Sequence, residues 1–363
     1  MQVVLSLAPG GTERLVVELV QRLNTEMPTA VCCLDREGAW GEQLKADGIS
    51  VQTLNRQPGF HPLLGKEIAA IARQHKATVL HCHQYSPFVY GALARLWHPS
   101  LQVIFTEHGR LSDAPPSTKR LWANRLLWAH APARVFAVSA DLRQHIVNEG
   151  FPAARVGVIY NGIDIGALPT VEARQSMRRG LGLADNVCVV GTVARLDPVK
   201  DLGVLIAAVA RLNANRAATL LVVGDGPERQ RLEQVAQDAD GGTSTRFLGH
   251  RDDARAVLAA CDVFANSSIS EGVSLTILEG MAAGLPVVAT RVGGTPEVLD
   301  ESCARLVPAR NVEAMSEALR ALSDDSALRA ALGRAGRIRV EERFTLDRMV
   351  SEYRDAYLRA SEN

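Results

Sequence analysis

Two acidic residues in the second half of the chain flank a stretch with the features of an anion site. Glu271 and Glu279 are separated by seven residues, among them Val273, Ser274 and Leu275. Ser274 is a residue type that caps helices, and the apolar spacing after it predicts a helix whose first N–H groups would face an anion. Carboxylates on either side suit sugar hydroxyls. The alternative is acidic side chains placed favourably near a helix N-terminus, with no ligand.

A pair of cations lies upstream of this stretch. Arg195 and Lys200 flank a turn that follows the apolar run Val187–Val193, and Lys200 stands at the start of the next predicted helix. Two cations at such a turn can converge on a diphosphate. Two solvated surface cations are the alternative.

Glycine turns follow two other apolar runs. Gly10 and Gly11 open the first predicted helix, where the backbone can approach a ligand and free N–H groups are available. The motif is neither a P-loop nor a Gly-x-Gly-x-x-Gly fingerprint, and a tight turn without a ligand explains it as well. The second turn, Gly224–Glu228, is explained by turn chemistry alone.

Candidate metal ligands are few. His81 and His83 lie on one face of a predicted strand, but no third ligand follows at motif spacing, so they are expected to line a cleft or the core. Asp238 and Asp240 form an Asp-x-Asp motif at a helix end before two glycines, which favours solvated side chains. We therefore predict no metal site.

Short apolar runs alternate with helical patterns from end to end and predict the elements that position these residues. The runs are rich in Val and Leu without strict alternation, which is typical of parallel sheets buried on both faces. Two such series predict an α/β protein with two doubly wound, Rossmann-like domains. The predicted strands are Val3–Leu7, Ala30–Leu34, Ser50–Leu54, Thr78–His83, Gln102–His108, Arg134–Ser139 and Val156–Tyr160, then Val187–Val193, Thr219–Val223, Arg246–Leu248, Val263–Asn266, Pro286–Thr290 and Arg305–Val307.

The predicted domains are residues 1–166 and 167–345, with a final helix over 346–363 that packs back on the first domain. The junction near Ile163–Thr170 is not a Gly/Ser linker, so a fixed hinge is expected. Ligands of open α/β sheets bind beyond the carboxyl ends of the strands. Two such domains facing each other would bind a ligand in the cleft between them, and the motifs above all follow predicted strands.

Composition narrows the classes of function. The chain has 363 residues, with 40 Lys+Arg and 40 Asp+Glu, so it has no overall basic excess with which to hold nucleic acid. Its six cysteines are scattered and without a Cys-x-x-Cys, which predicts buried free thiols in a reducing compartment. No signal peptide or bilayer-length apolar run is apparent, and the expected location is the cytoplasm.

Taken in order, the motifs resemble those of the family 4 retaining glycosyltransferases, which have the GT-B two-domain fold. The resemblance covers almost the whole chain, and the ordered set is highly specific although each motif alone is common. Three positions depart from the family's pattern: Val273-Ser274 stand where Phe-Gly is frequent, and Tyr160 where Pro is frequent, so the donor sugar stays open. The matching residues are Gly10–Arg14, Glu107-His108-Gly109, Val138-Ser139, Asn161–Asp164, Arg195 and Lys200, Phe247–Gly249, Glu271 and Glu279, Gly284–Thr290 and Gly293-Gly294.

This resemblance implies a metal-independent hexosyltransferase that needs no cofactor and uses a UDP-sugar or GDP-sugar as donor. The implied acceptor is a glycan or a lipid-linked sugar, in cell-envelope or exopolysaccharide synthesis. His108, Arg195, Lys200 and Glu271 would be catalytic. The donor would be bound by Gly11, Arg195, Lys200, Leu248, Arg251, Glu271, Val273, Ser274, Leu275 and Glu279, with Glu279 on the ribose, Glu271 on the sugar, and Leu248 and Arg251 at the base.

Other interpretations stay open at this point. A nucleotide-sugar epimerase or a phosphorylase has a similar two-domain fold, although the two cations and two acids together argue against both. A non-catalytic nucleotide-sugar sensor would bind the donor without turnover. Trp122 and Trp128 lie among cations at helical spacing, which fits either a helix at the inner face of the membrane or packing into the first domain.

Overall fold

The structure is a computed structural model that describes residues 1–110, 117–131, 134–214 and 216–362. The chain forms two units. The first comprises Met1–Gly162 and Leu346–Asn363, and the second comprises Ile163–Thr345. The division falls a few residues before the predicted boundary at 166/167. The final helix belongs to the first unit.

The first unit is built on a seven-stranded parallel sheet in the order β3-β2-β1-β4-β5-β6-β7. Its strands carry buried Val, Leu, Ile and Cys side chains, because helices pack on the sheet. The strands are β1 Gln2–Ser6, β2 Ala30–Arg36, β3 Ser50–Thr53, β4 Val79–His83, β5 Gln102–Glu107, β6 Arg134–Ala137 and β7 Val156–Val158. The helices are α1 Gly11–Leu23, α2 Ala39–Ala46, α3 Leu64–Gln74, α4 Tyr85–Ala94, α5 Thr118–His130 and α6 Ala140–Asn148, with α15 Leu346–Ser361 added by the end of the chain.

The second unit has a six-stranded parallel sheet in the order β10-β9-β8-β11-β12-β13, which is the doubly wound order. The strands are β8 Cys188–Val193, β9 Ala218–Val223, β10 Thr245–Gly249, β11 Val263–Asn266, β12 Val287–Thr290 and β13 Ala304–Val307. The helices are α7 Val171–Gly180, α8 Leu202–Asn213, α9 Arg229–Asp240, α10 Ala254–Val257, α11 Leu275–Ala282, α12 Thr295–Val298, α13 Val312–Asp324 and α14 Ser326–Arg343.

The predicted elements and fold class are confirmed. Each predicted strand coincides with an observed one, with ends that differ by at most two residues. The sequence pattern also predicts a helix over Ala254–Ala260, and this segment divides into α10 and a 3₁₀ turn over Leu258–Ala260. In both sheets the strands are parallel, so their carboxyl ends share one edge. The predicted site residues lie in or beside the loops that follow β1, β5, β8, β10 and β11. Leu248 is in β10, Gly11 begins α1, and Leu275 and Glu279 are in α11.

Two further sequence expectations can be compared with the structure. All six cysteines are buried free thiols, as predicted, and burial raises the pKa of the Cys261 thiol to about 12. Within the described ranges, no helix has the length and apolar character needed to cross a membrane.

Candidate functional site

In the second unit, Lys200 and Glu271 meet. Lys200 ends a 3₁₀ turn in the loop after β8, and Glu271 lies in the loop after β11, the neighbouring strand. Lys200 Nζ is 2.6 Å from Glu271 Oε1, and Ser268 Oγ and Asn266 Nδ2 also donate to this oxygen, at 2.6 and 3.3 Å. The Glu271 side chain is only 9% exposed. The structure therefore joins one member of the predicted cation pair to one member of the predicted acidic pair.

The loop that contains Glu271 is held by β12 and the loop after it. Gly294 N donates to Glu271 O at 3.1 Å, and Thr290 Oγ1 donates to Ser268 O at 2.5 Å. Gly293 has a φ of +48°, and a Cβ there would lie 1.9 Å from Glu271 O. Only glycine fits this position, because it combines a left-handed conformation with close contact to a carbonyl.

Arg195 stands apart from this cluster. Its side chain is 71% exposed, and its Nε lies 3.1 Å from Asp197 Oδ2. The residues on either side of Arg195 are fixed by the glycine turn after β9. A Cβ on Gly224 would lie 1.9 Å from Ala194 O, and Leu196 N donates to Asp225 O at 2.9 Å. That turn thus has a structural explanation, as the sequence suggests: it supports the loop that presents Arg195.

The helix α11 begins where the sequence predicts, but its cap differs. Ser274 is the N-cap residue with an extended backbone, and it is buried beside Val273, whereas Leu275 is half-buried. The expectation that Ser274 caps the helix with its side chain is wrong. Its hydroxyl makes no such bond and lies 3.2 Å from Thr276 Oγ1. The Ser274 hydroxyl therefore leaves the first N–H groups of α11 to other acceptors.

Glu279 lies in α11 beyond the N-cap and is almost fully buried, at 4% exposure. Its Oε1 is 3.9 Å from Nε of Arg255, whose guanidinium also donates to Ile165 O at 3.3 Å. The ribose contact predicted for Glu279 stays a prediction. A ribose hydroxyl would compete with Arg255 for this carboxylate.

The predicted base-contacting residues lie at the end of β10. Leu248 is half-buried, and Gly249, with a φ of +69°, accepts a 2.8 Å hydrogen bond from Gly224 N through its carbonyl oxygen. Arg251 forms a bidentate pair with Asp253, at 2.7 and 2.6 Å, just before α10. The Arg251 guanidinium is thus engaged locally, and the contact expected of Arg251 is through its backbone.

The aspartates at the end of α9 have local partners. Asp238 Oδ1 accepts from Gln234 Nε2 at 2.8 Å, and Asp240 Oδ1 accepts from Thr243 N at 3.1 Å. Gly241 ends the helix in a left-handed conformation. Across the described part of the chain, no group of His, Cys, Asp and Glu side chains is arranged to hold a metal ion.

In the first unit, Gly11 begins α1 directly after the β1 loop and is exposed. Gly10 is the N-cap with a φ of −173° and provides no side-chain cap. A Cβ at Gly10 would lie 2.3 Å from Glu13 Oε2, the far end of a side chain that can move. The contacts within the protein therefore do not require glycine at position 10. The proposed close approach of a ligand is a separate reason for a glycine there.

His108 follows β5 and contacts His83, one of the two histidines that the sequence placed in a cleft or core. His83 Nδ1 lies 2.9 Å from His108 Nε2, and His83 Nε2 lies 2.9 Å from Gln2 Oε1. His81 is also buried, with Nδ1 2.6 Å from the Tyr357 hydroxyl. Sequence analysis missed Gln2 and Tyr357. A polar residue directly before the first apolar run, Val3–Leu7, was a signal for Gln2, whereas nothing local marks Tyr357 on the distant helix α15.

Burial controls the ionisation of these groups. It lowers the pKa of His108 to about 4 and lowers the pKa of His81 and of His83 well below the ordinary histidine value. It also raises the pKa of the Glu107 carboxyl to about 8, although the backbone N–H of His108 donates to that carboxyl at 3.1 Å. The three imidazoles are therefore neutral at pH 7.

The two tryptophans of α5 have different environments. Trp128 packs against the core of the first unit, in edge contact with Phe151. Trp122 is 64% exposed, as is Leu126 at 67%, and the guanidinium of Arg125 lies 5.6 Å from the centroid of the Trp122 ring. Core packing thus explains Trp128 and leaves Trp122 on the surface.

Comparison with known proteins yields two family matches. Residues 9–166 match the family described as Glycosyltransferase Family 4, and residues 187–325 match that described as Glycosyl transferases group 1. A D-inositol 3-phosphate glycosyltransferase of Corynebacterium urealyticum is 30% identical over 323 residues, covering 78% of this chain and 76% of the relative. An N-acetyl-alpha-D-glucosaminyl L-malate synthase of Bacillus anthracis is 26% identical over 315 residues, covering 85% and 82%.

Among solved structures, Anabaena HepE in complex with UDP has a TM-score of 0.87 at 25% identity, and the match covers 98% of each chain. The same protein in complex with UDP and glucose has a TM-score of 0.86 at 25% identity, over 98% of this chain and 99% of that chain. The fold is therefore shared across nearly the full length.

Proposed function

This chain belongs to the family 4 glycosyltransferases, within glycosyl transferases group 1, and from that premise we propose that it transfers a hexose-type sugar. The donor is a nucleoside diphosphate sugar, the acceptor is a glycan or a lipid-linked molecule, and the configuration at the anomeric carbon is retained. The observation that carries the proposal is the Lys200–Glu271 pair at the carboxyl edge of the second sheet. A cation for phosphate and a carboxylate for hydroxyls stand there side by side.

The reaction requires stabilisation of negative charge on the leaving diphosphate. As the bond between the anomeric carbon and the diphosphate oxygen breaks, negative charge collects on the diphosphate, and groups that bind it more strongly as it grows lower the barrier. Lys200, the exposed Arg195 and the first N–H groups of α11 near Ser274 are the proposed groups. Lys200 would exchange part of its contact with Glu271 for a phosphate oxygen, and Glu271 would then accept hydrogen bonds from the donor sugar.

Retention follows from attack on the face that the diphosphate leaves. The acceptor hydroxyl forms the new bond to the anomeric carbon, and its proton passes to the departing phosphate oxygen, so that no protein nucleophile is required. His108 would lie beside the reacting carbon and orient the sugar. Glu279 would bind the ribose, Leu248 and Arg251 would offer backbone contacts to the base, and Gly11 would allow close approach at the N-terminus of α1.

We propose that neither a metal nor a cofactor takes part, since Arg195 and Lys200 supply the positive charge that a divalent ion would otherwise bring. Activity that survives EDTA supports this part of the proposal. Activity lost in EDTA and restored by Mg²⁺ or Mn²⁺ contradicts it.

The exposed face of α5 suggests where a lipid-linked acceptor is met. Trp122 and Leu126 project from this face, and the exposed cations Lys119 and Arg125 lie on the same helix. Aromatic and aliphatic side chains beside cations suit the surface of an anionic bilayer. We propose a cytoplasmic protein that associates peripherally with the inner face of the membrane, in envelope or exopolysaccharide synthesis.

The deciding experiment is a thermal-shift screen against UDP-glucose, UDP-N-acetylglucosamine and GDP-mannose, followed by an assay of nucleoside diphosphate release. A donor at 100 times its Kd adds about 2.7 kcal/mol of stability. Release that depends on an added acceptor supports transfer. Conversion of the sugar without any acceptor indicates an epimerase, and binding without turnover indicates a nucleotide-sugar sensor.

A further inference from the structure

A chain of buried polar side chains runs through the first unit and ends at His108. It connects α15 to β1 and β4 and then to the loop after β5. Tyr357 contacts both His81 and Gln2, Gln2 contacts His83, and His83 contacts His108. Tyr357, Gln2, His81 and His83 are all buried. Each hydroxyl and each neutral imidazole in such a network has a single proton to donate. The donor in one hydrogen bond therefore determines the donor in the next.

The direction is set at Tyr357. Its oxygen lies 2.6 Å from His81 Nδ1, a separation typical of an O–H donor and short for an N–H donor. Burial raises the pKa of the Tyr357 hydroxyl well above its ordinary value, so the proton is present. Since that proton is given to His81, the oxygen of Tyr357 accepts from Gln2, whose Nε2 lies 3.3 Å away.

The orientation of Gln2 then determines the two histidines that follow. Its amide nitrogen points to Tyr357, so its Oε1 accepts from His83 Nε2 at 2.9 Å. His83 is a neutral imidazole whose proton is on Nε2, and its Nδ1 therefore accepts. Among the described residues, the donor that contacts His83 Nδ1 is the Nε2–H of His108, at 2.9 Å.

The last nitrogen of this hydrogen-bonded series, Nδ1 of His108, is therefore unprotonated and has a lone pair that can accept a hydrogen bond. It is buried, and it has no hydrogen-bond partner among the described residues. A buried acceptor without a partner costs free energy, although less than a buried N–H in the same position would. Such an atom is prepared for a hydroxyl donor.

We propose that Tyr357, Gln2 and His83 form a positioning relay that holds His108 in the Nε2–H tautomer, so that Nδ1 accepts a hydrogen bond from a sugar hydroxyl of the substrate. The inference rests on the proposed function for one point, namely that the hydroxyl belongs to a sugar substrate. The tautomer of His108 is a property of the protein alone. The relay would favour a sugar with a free hydroxyl at this point over one whose hydroxyl is replaced by fluorine, because fluorine cannot donate.

The tautomer can be measured without any ligand. ¹⁵N NMR of histidine-labelled protein separates protonated from unprotonated ring nitrogens, and the variants His108→Gln and His83→Gln identify the two sets of signals. We expect the proton on Nε2 in both residues. A proton on Nδ1 of His108, or an equal mixture of tautomers, would overturn the relay whatever the enzyme's activity.

A matched pair of variants tests what the relay does. Tyr357→Phe removes the hydroxyl that orients Gln2, whereas Tyr353→Phe removes a hydroxyl on the same helix that contacts Thr106 at 3.3 Å, beyond His81. Tyr353 and Tyr357 are both buried in α15. We expect Tyr357→Phe to mix the tautomers of His83 and His108, and Tyr353→Phe to leave them as in the wild type.

UDP-glucose and UDP serve as the probes of function. Tyr357→Phe is expected to lower kcat/KM for UDP-glucose by about two- to tenfold and to leave the Kd for UDP unchanged, because His108 would contact the sugar and not the nucleotide. Mixed tautomers with unchanged kcat/KM would contradict the positioning role. Absence of turnover in the wild type would instead contradict the proposed function, and the NMR result would still decide the relay.

Discussion

Lys200 and Glu271 lie 71 residues apart in sequence and form a salt bridge of 2.6 Å between Nζ and Oε1. The cation proposed for the diphosphate is thus already paired with the carboxylate proposed for the sugar. Donor binding has to rearrange this pair, so the two motifs are expected to act as one unit and mutations in them to be non-additive.

Substitution of Lys200 should lower turnover more than it weakens binding of the nucleoside. Lys200→Met removes a group that stabilises charge developing during bond cleavage, and such a loss costs about a hundredfold or more in kcat. It also leaves the buried Glu271 carboxylate without its cation, at a cost of about 1–3 kcal/mol in unfolding free energy. Steady-state kinetics and thermal melts measure both effects.

The double variant Lys200→Met/Glu271→Gln is the matched control. It removes both charges and should recover much of the stability without recovering turnover. Normal turnover in Lys200→Met would exclude Lys200 from the mechanism.

Substitutions of the two acidic residues, Glu271 and Glu279, are expected to have different effects on ligand binding. Glu279→Ala should weaken nucleoside diphosphate and intact donor alike, by about ten- to a hundredfold, because a charge-assisted bond to the ribose is lost. Glu271→Ala should spare the diphosphate and impair donor affinity or turnover. Calorimetry of both variants with UDP and UDP-glucose makes the comparison. Equal losses of UDP affinity would refute the assignment of ribose to one residue and sugar to the other.

Gly293→Ala should disturb Glu271 through the backbone. The new Cβ would lie 1.9 Å from Glu271 O at a φ of +48°, so we expect at least about 2 kcal/mol of lost stability and lower activity. Gly203→Ala in α8 is the control, because nothing lies within 4 Å of its Cβ position. Thermal melts should show no loss for the control. A Gly293→Ala protein as stable and active as wild type would show that this close contact is unimportant.

Stability should depend on pH through Glu107. Burial raises its pKa to about 8 in the folded protein, against about 4.3 when unfolded. A carboxyl whose pKa is raised stabilises the fold fully below pH 4, and this contribution is lost as pH rises towards 8. Hydrogen bonds from the backbone of His108 and Gly109 and the charge of Arg120 lower this pKa, whereas the charge of Glu149 raises it.

The variant Glu107→Gln stays neutral and removes this titration. The difference in Tm between Glu107→Gln and wild type should therefore grow from pH 5 to pH 8. Glu42→Gln, on the exposed surface of α2, should follow the wild type. A constant difference across this range would mean that Glu107 is already ionised in the fold.

The exposed face of α5 should determine membrane affinity. Trp122→Ser/Leu126→Ser is expected to reduce binding to phosphatidylglycerol vesicles by at least about tenfold, since two apolar side chains lose their burial in the interface. Leu358→Ser, which changes a half-exposed leucine on α15, is the control. Cosedimentation measures the bound fraction. Equal binding of the wild type and both variants would contradict a membrane contact at the exposed face of α5.

The amino-acid sequence by itself determined the elements and their order. Buried strands and amphipathic helices are local patterns, readable from apolar spacing, which is why runs such as Val263–Asn266 coincide with strands. The sequence also showed which turns contain glycines and which contain basic or acidic side chains. The ordered motifs were enough to indicate the family that the comparisons confirm.

Only the tertiary structure decided which of these residues meet. The pairing of Lys200 with Glu271 depends on β8 and β11 being neighbours in the sheet, and the contact of Tyr357 with Gln2 depends on α15 returning to the first unit. The same holds for Trp122 and Trp128, one exposed and one packed on the core. Such contacts join distant segments, and local periodicity does not encode them, because they follow from how whole elements pack.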